Sequence, residues 1–580
     1  MQSRLASWKN RLLNKPGRIA LASSVLSSIP TYYMQIAWLP QSICDSIDQV
    51  TRNFIWRDAN NKGIHLVSWK KIACPKKLGG LGLRSARDAN TCLLGKLVWD
   101  ILQSKDKLWV NIFSHRYDAG VKILHAIDHQ GSSSTWSAII RAKTVLREGF
   151  TWRAGSGSSS FWFCPWTVLG CFSKLVPYID IHDLQLTVKD VISSNNPHSQ
   201  ILYTNLPHMA LDIINNTHTI FNDQIEDAFI WSNNKNGVYT AKSGYDWILS
   251  RTEQVQPSPH TWSWIWKLKV PEKIKFLIWL AYHDSVPTLM LLHHRNMALS
   301  STCPRCGHHQ ESFLHCVRDC NFSRSIWLSM GFTTDNFFTS TSTHDWLKEG
   351  CFSPQSRSFS AGLWWIWRHR NLMCLSNETW SYVRLSFNIH NMVETLKASF
   401  PSTDNNATTD RFVKWNNNNF SGIILNADGS CSGTPARAGF GCVIRNNNGL
   451  YLAGASGFIS GSADILLAEL SAIFHGLKLA KDLGFNQLSC YTDSLTCINL
   501  IQGTSSSYHV YAVLIQNIKD ILLQGTISLC HTLREGNQCA DFLAKLGASS
   551  NDEFLIHTSP PAGLLNYLNA DATGTLFMRE

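Results

Sequence analysis

Charge is scarce in this 580-residue sequence, and several familiar features are missing from it. Asp, Glu, Lys and Arg make up only 16% of the residues and 44% are hydrophobic, a balance that excludes an intrinsically disordered chain. No internal repeat is present, which excludes a solenoid. A convincing secretion signal is lacking, and the 17 Cys are scattered except for one tight group near residues 303–320. That distribution argues against a disulfide framework. It fits metal binding in a reducing compartment, so an intracellular site, nuclear or cytoplasmic and not secreted, is expected. A charge-free stretch, Ile19–Pro40, follows Arg4, Lys9, Arg11, Lys15 and Arg18 and could imitate a signal peptide or membrane span. Its Ser23, Ser24, Ser27, Ser28, Pro30, Thr31 and Gln35 make it too polar for that role, and a buried helix plus an extended segment is expected instead.

What is present is length, base and tryptophan. A chain this long predicts three or four domains. The net charge of +11 sits at the front: Met1–Gly120 carries 18 Lys and Arg against 7 Asp and Glu. A basic block on an otherwise neutral chain is the electrostatic footprint of contact with phosphate. The 23 Trp predict aromatic cores. Composition divides the chain into a basic, helix-patterned segment 1–120, a connecting region 121–255 with Gly/Ser turns such as "AGSGSSS" at 154–160, and a segment 256–330 that runs into the Cys/His cluster. A helical region 331–420 then ends in a polar linker, a compact α/β pattern occupies 421–550, and the tail 551–580 shows no chemistry.

The 421–550 segment carries the clearest chemistry. "GIILNADGS" reads as a buried strand ending in an acid and a glycine, and "AGFGCVIRNNNGLYLAGASG" as a hairpin turning at Asn448–Gly449. "SADILLAELSAIFHGLKLAKDLG" is an amphipathic helix with Leu466, Leu470, Ile473, Leu477 and Ala480 at helical spacing, closed by Gly484. A strand ending in "YTDS", one or two helices, a strand "TISLCHTL" and a helix over 535–548 complete the order. Four acids occupy unusual stations. Asp428 and Asp493 end strands, Glu469 flanks the apolar stripe, and Asp541 lies in the last helix. Acids so placed are costly unless neutralised, and hard divalent cations neutralise them. Mg²⁺ favours a few carboxylates plus water and phosphate oxygens, and two such ions about 4 Å apart can activate water against a phosphodiester.

The second constellation is Cys303-x2-Cys306-x8-His315-x4-Cys320. Thiolates plus imidazole at a CxxC knuckle suit tetrahedral Zn²⁺. Cys316, His308 and His309 are alternative ligands that leave the fourth position open.

"NADGS", "LLAELSAIFHGLKLA", "CYTDS" and "HTLREGNQCADFLAKLG" resemble type 1 ribonuclease H domains, especially those of plant retroelement-derived proteins. The resemblance implies a five-stranded mixed sheet with flanking helices. It implies Asp428, Glu469, Asp493 and Asp541 as carboxylates for two Mg²⁺ or Mn²⁺ ions, and His531 as a mobile proton-handling histidine. It further implies hydrolysis of the RNA strand of an RNA–DNA hybrid. Stretch 503–523 has only Lys519 as a cation, so a basic protrusion for gripping the hybrid is not expected. "GVYTAKSGYDWI", "WIWKLKVPEKIKFLIWLA", "CPRCG…ES…H…C…IW" and "WRAGSGSSSFWFCPW" resemble the zinc-binding domain of plant LINE-type retrotransposon reverse transcriptases. That resemblance implies a structural zinc on Cys303, Cys306, His315 and Cys320 and contact with nucleic acid. "RLASWKNRLLNKPGRIALASSVLSSIPTYYMQ" and "HLVSWKKIACPKKLGGLGLRSARDAN" resemble the segment after the palm of such an enzyme. Segments 167–225 and 331–420 match least. No Asp-Asp dipeptide occurs anywhere, so the paired aspartates of a polymerase are absent and a fragment beginning past the polymerase site is implied. The fold expected is multidomain, α+β and α/β, with a helical N-terminal half bearing a zinc module. The function expected is that of a ribonuclease H-type endoribonuclease, or of a silent nucleic-acid-binding relic.

Overall fold

The computed structural model describes residues 13–57, 63–103, 106–117, 120–167, 169–192, 202–215, 217, 219–251, 260–401, 412–416, 418–504 and 506–579; Arg4, Lys9 and Arg11 lie outside them. The chain forms two compact units that interleave along the sequence. The first contains Met1–Val98, Ile127–Val145 and Thr240–Asn405, and the second Trp99–Ala126, Leu146–Tyr239 and Asn406–Glu580. Compositional segments and packing units therefore do not coincide. The segment with the Cys/His cluster and the helices of 331–401 share one hydrophobic core with the front of the chain.

The first unit is helical. Four of its helices matter here: α1 (Gln41–Trp56), α2 (Glu272–Tyr282), α3 (Leu289–His294) and α4 (Ser356–Ser376). Helix α2 is apolar over most of its circumference and buried from Phe276 to Tyr282, as a helix in the middle of a core must be. Trp279, Trp327 and Trp346 are among the largest fully buried side chains, so much of the tryptophan content is core. The charge-free stretch folds as a helix Lys15–Leu21, a π-helical turn Ala22–Leu26 and a short helix Thr31–Met34 before running extended to Pro40. No described helix is long and apolar enough to cross a membrane. Two cations of the basic front have a local task. Lys15 Nζ donates to the Ile55 and Trp56 carbonyls at 2.9 and 2.7 Å, and the buried Arg18 guanidinium donates to those of Phe54 and Arg57. Both complement the C-terminal end of α1, where unpaired carbonyls carry partial negative charge.

The second unit is built on a mixed six-stranded sheet. In chain order its short strands are β1 (Phe150–Arg153), β2 (Ala228–Trp231) and β3 (Phe412–Val413). The main strands are β4 (Ile423–Ser432), β5 (Arg437–Arg445), β6 (Tyr451–Ile459), β7 (Gln487–Thr492), β8 (Thr526–His531) and β9 (Leu555–His557), and β10 (Phe577–Met578) comes last. The sheet order is β8-β7-β4-β5-β6-β9, with β7 parallel to both β4 and β8 and the other pairs antiparallel. Helices α5 (Ile465–Asp482), α6 (Leu495–Gln502), α7 (Ala512–Gln524) and α8 (Gln538–Ser549) follow in the expected order. The five apolar positions of α5 named above are all buried. On the opposite face α8 lies so close to β5 that a Cβ on Gly441 would be 2.2 Å from the Ala544 amide nitrogen, which only glycine permits.

Three expectations are corrected. The sheet has six strands, not five, because the tail supplies β9 against β6. The tail is also structural beyond that strand: α9 (Leu564–Ala572) packs Leu564 and Leu568 against Val443 and Leu543, and β10 pairs with β3. The polar stretch before β4 is not all linker. Trp415 is buried with the Arg445 guanidinium 4.2 Å from its ring centroid, and the Asn416 side chain closes a turn onto Phe420 N and O. Finally, residues 146–239 do more than connect. The Gly/Ser run wraps its Gly155, Gly157 and Ser159 amides around the Asp227 carboxylate at 2.6–2.9 Å. The segment then docks on α5 and α7 through Lys235–Asp464 and Asn222 with Asn517 and Asp520.

Arg445 and Asp571 form an ion pair of 2.7 Å whose side chains are 0% and 2% exposed. Removing one partner of such a pair strands the other charge in a low-dielectric interior. Asp571→Ala is expected to destabilise the second unit by about 3–5 kcal/mol in urea denaturation. A loss below about 1 kcal/mol, the range of exposed ion pairs, would show that Arg445 is neutralised in some other way.

Candidate active site and zinc centre

Asp428 lies near the middle of β4, where it faces Gly441 of β5 in the register. Glu469 sits one turn into α5, and Asp493 follows directly on β7, with Ser494 capping α6 through its hydroxyl. Because β4 and β7 are parallel neighbours and α5 crosses β4, these three side chains converge. One oxygen of each lies within 4.8 Å of the others. Convergence requires α5 to touch the strand: a Cβ on Gly429 would be 2.4 Å from the Glu469 amide nitrogen. This explains why a glycine follows the first acid.

The cluster is electrostatically uncomfortable without a cation. Asp428 is held far above the usual carboxylate range, first by burial, then by the charges of Glu469, Asp493 and Asp541. Burial, followed by repulsion from Asp493, pushes Glu469 up to about 8, against the opposing Gly429 amide. Glu469 Oε2 is buried and accepts no hydrogen bond. An orphaned, buried, acceptor-only oxygen beside two further carboxylates is the donor set that a hard divalent cation requires, so the residues present fit Mg²⁺ or Mn²⁺.

Asp541 stands apart from that trio. It occupies the first turn of α8 and is engaged by Lys545 at 2.5 Å and Arg534 at 3.9 Å, although its charge is felt by both Asp428 and Glu469. His531 ends β8, exposed, with Nε2 3.2 Å from the Asp493 carbonyl oxygen. Sequence reasoning overlooked Arg534 and Lys545, which flank Asp541 in the same motif; a cation four residues after an acid on a helix was the available signal.

In the first unit Cys303, Cys306, His315 and Cys320 bring one ligand atom each within 4.8 Å. An isolated bridge between Thr302 and Gln310 folds the CxxC knuckle back on itself, and a π-helical turn, His315–Asp319, separates the other two ligands. Cys303 Sγ is 3.9 Å from Cys320 Sγ, and Cys306 Sγ 3.5 Å from His315 Nε2. Of the candidates for the fourth position, the structure brings Cys320 into the group. Cys316 is fully buried outside the group, near Arg305 and Ser323, with its thiol pushed up to about 12 by burial, and neither His308 nor His309 joins the four. Another residue passed over in the sequence is Glu311. Its carboxylate pairs with Arg370 of α4 at 2.5 Å, both fully buried, and accepts the Leu289 amide at the start of α3. This pair bolts the knuckle to the helical core.

Two outcomes follow from these geometries. A carboxylate whose folded pKa is raised disfavours the folded state as pH climbs from its unfolded value, about 4, to its folded one. The metal-free protein is therefore expected to melt at a lower temperature at pH 8 than at pH 5. Asp428→Asn should flatten that dependence and raise the melting temperature at pH 8 in EDTA, and Mg²⁺ should stabilise only the unsubstituted chain. Equal melting of the two chains in EDTA would show that the carboxylates do not repel. For the thiolate site, elemental analysis should find one zinc per chain, lost in Cys303→Ser and kept in Cys316→Ser; the reverse pattern would exchange their roles.

Two regions of the chain match models of known families. Residues 426–547 match a family model described as reverse transcriptase-like, and residues 239–327 one described as zinc-binding in reverse transcriptase. A relative from Arabidopsis thaliana, which carries a provisional name as a ribonuclease H protein, is 28% identical across 99% of this chain and 96% of its own length. Among solved structures, the N-terminal RNase H domain of a Mycobacterium tuberculosis protein is 26% identical. That match covers 22% of this chain and 94% of the other, with a TM-score of 0.21. RNase H1 of Halobacterium salinarum is 24% identical, covering 22% and 96%, with a TM-score of 0.20. Residues 426–547 are thus similar to reverse transcriptase-like domains, and residues 239–327 to zinc-binding domains of reverse transcriptases.

Proposed function

We propose that the second unit is an endonuclease that hydrolyses the RNA strand of an RNA–DNA hybrid. The observation that carries this reading is the cluster of buried Asp428 and Glu469 with half-buried Asp493, and its unpartnered Glu469 oxygen. Together with Asp541 these carboxylates would hold two Mg²⁺ or Mn²⁺ ions. Such ions supply Lewis acidity at a phosphodiester and a more acidic water. The chain's own groups do the rest. Arg534 and Lys545, on the outer side of Asp541, offer positive charge to the phosphate backbone. His531, exposed with Nε2 beside the Asp493 carbonyl, is placed to pass a proton between bulk water and the reacting oxygens. Discrimination for RNA would rest on backbone shape and the 2′-hydroxyl, not on base sequence. A zinc held by Cys303, Cys306, His315 and Cys320 would have four protein ligands and no open position for substrate, and would serve a structural role.

We further propose that the chain does not polymerise, since no Asp-Asp dipeptide is available for a polymerase metal site. A second reading, nucleic-acid binding without cleavage, is favoured by the first unit. Lys70, Lys71, Lys76, Lys77 and Arg84 remain exposed on one short segment there, and Lys76 lies 4.4 Å from the centroid of Trp266.

The deciding experiment incubates the full chain and Mg²⁺ with labelled RNA–DNA hybrid, single-stranded RNA and duplex DNA. Cutting confined to the RNA of the hybrid is expected. Asp493→Asn should reduce it by about 10³-fold or more, as removal of one member of a catalytic unit does, while hybrid binding in Ca²⁺ persists. Unchanged cleavage by that variant refutes the carboxylate assignment. Hybrid binding without cutting by the unsubstituted chain selects the second reading.

A further inference from the structure

The tail that shows no chemistry in the sequence ends in contact with the strand that carries Asp428. Arg445, on the last position of β5, is completely buried. One of its terminal nitrogens meets Asp571 Oδ2 at 2.7 Å, and the other donates to Asn426 Oδ1 at 2.8 Å. Asn426 precedes Asp428 by two residues on β4, so both side chains lie on the same face of the sheet. Its Oδ1 also accepts from the Trp415 indole at 3.1 Å, and its amide donates to Asn537 Oδ1 at 3.1 Å. The Asn537 amide in turn donates to the Ala427 carbonyl at 3.1 Å. Asn537 is the residue before α8, and its own carbonyl accepts the Asp541 amide at 3.1 Å. An unbroken chain of hydrogen bonds therefore runs from Asp571 through Arg445, Asn426 and Asn537 to the backbones that carry Asp428 and Asp541. All four side chains are at most 4% exposed.

We propose that the C-terminal segment 551–579 is a positioning element of the catalytic centre, in which Asp571 orients Arg445 so that the Asn426–Asn537 link sets Asp428 against Asp541. The inference rests on the carboxylate site proposed above. Arg445 is the necessary intermediary. A planar guanidinium can hold a carboxylate and a carboxamide in fixed relative directions. Without Asp571 it would be a buried, uncompensated cation beside an acidic site. Arg445 and the Trp415 indole both donate to the oxygen of the buried Asn426 and together fix its direction.

A purely structural role makes a different forecast from a positioning role. Replacing a buried ion pair by apolar groups of similar size commonly leaves stability unchanged or improves it. The double variant Arg445→Met with Asp571→Leu should therefore fold and melt near the unsubstituted protein, yet lose the donor to Asn426. In zinc-loaded full-length chain, we expect Mn²⁺ affinity at the carboxylate site to fall about tenfold, the lower range for partners that orient metal ligands. The kcat for hybrid cleavage should fall by a similar factor with KM unchanged. A folded double variant with unaltered Mn²⁺ affinity and kcat overturns the proposal. Should the double variant not fold, Arg445→Lys supplies the reading. It keeps the charge for Asp571 but cannot span both partners, so weakened Mn²⁺ affinity supports the proposal and unaltered affinity refutes it. Mn²⁺ binding is read separately from cleavage. An unsubstituted chain that binds Mn²⁺ without cutting hybrid would refute the ribonuclease reading and leave this inference to be decided by affinity.

Discussion

Three carboxylates held within 4.8 Å of one another over two interior strands of a sheet repel each other and resist desolvation, and the second unit is organised around holding them there. In an isolated strand or helix none of these acids would approach another. Their proximity is imposed by a parallel pair, β4 and β7, by a helix pressed onto β4 at Gly429, and by burial that prevents relaxation. Each of these packing contacts stabilises the fold, and the repulsion takes part of that stability back unless a cation is bound. A site that is destabilising when empty is also one that binds a divalent cation tightly, because the same interactions change sign.

The surroundings of the trio follow from this tension. Mobile neighbours would let the carboxylates drift apart, and the polar side chains behind β4 are tied to one another. Asn426, Asn537, Arg445 and Asp571 form a closed set, and the tail and the segment before β4 are tied together by the β3–β10 pair. A similar arrangement is found in the first unit. There the four zinc-type ligands come from a knuckle and a π-helical turn, neither of them rigid alone, and the buried Glu311–Arg370 pair anchors the knuckle to the helical core. In both units a buried ion pair links the surroundings of the cluster to a helix distant in sequence.

Much of the catalytic half could be read from the residues. The 3.6-residue period of α5 and the apolar runs of the strands locate the elements within a few residues, whereas Asp428, expected to end its strand, lies inside β4, which continues to Ser432 because β5 pairs with it that far. CxxC spacing identifies two zinc-type ligands without any fold. What escaped such reading was whatever depends on a partner remote in sequence. Asp571 looks like one more acid in an unremarkable helix, and its significance depends on Arg445, 126 positions earlier. Lys15 and Arg18 look like free cations for phosphate until the end of α1 is packed against them.

The sequence by itself determined which local elements form, which acids and thiols are available and which way each faces on its own strand or helix, because periodicity and turn chemistry act over a few residues. Only the tertiary structure decided that Asp428, Glu469 and Asp493 meet while Asp541 stands with Lys545. It also decided that Cys320 and not Cys316 joins the thiolate group, that residues 146–239 dock on α5 and α7, and that the tail adds a sixth strand and a buried counter-charge. The reason is physical. Hydrogen-bond partners and desolvation belong to pairs of groups brought together by packing, and no residue carries a record of which distant partner will cover it.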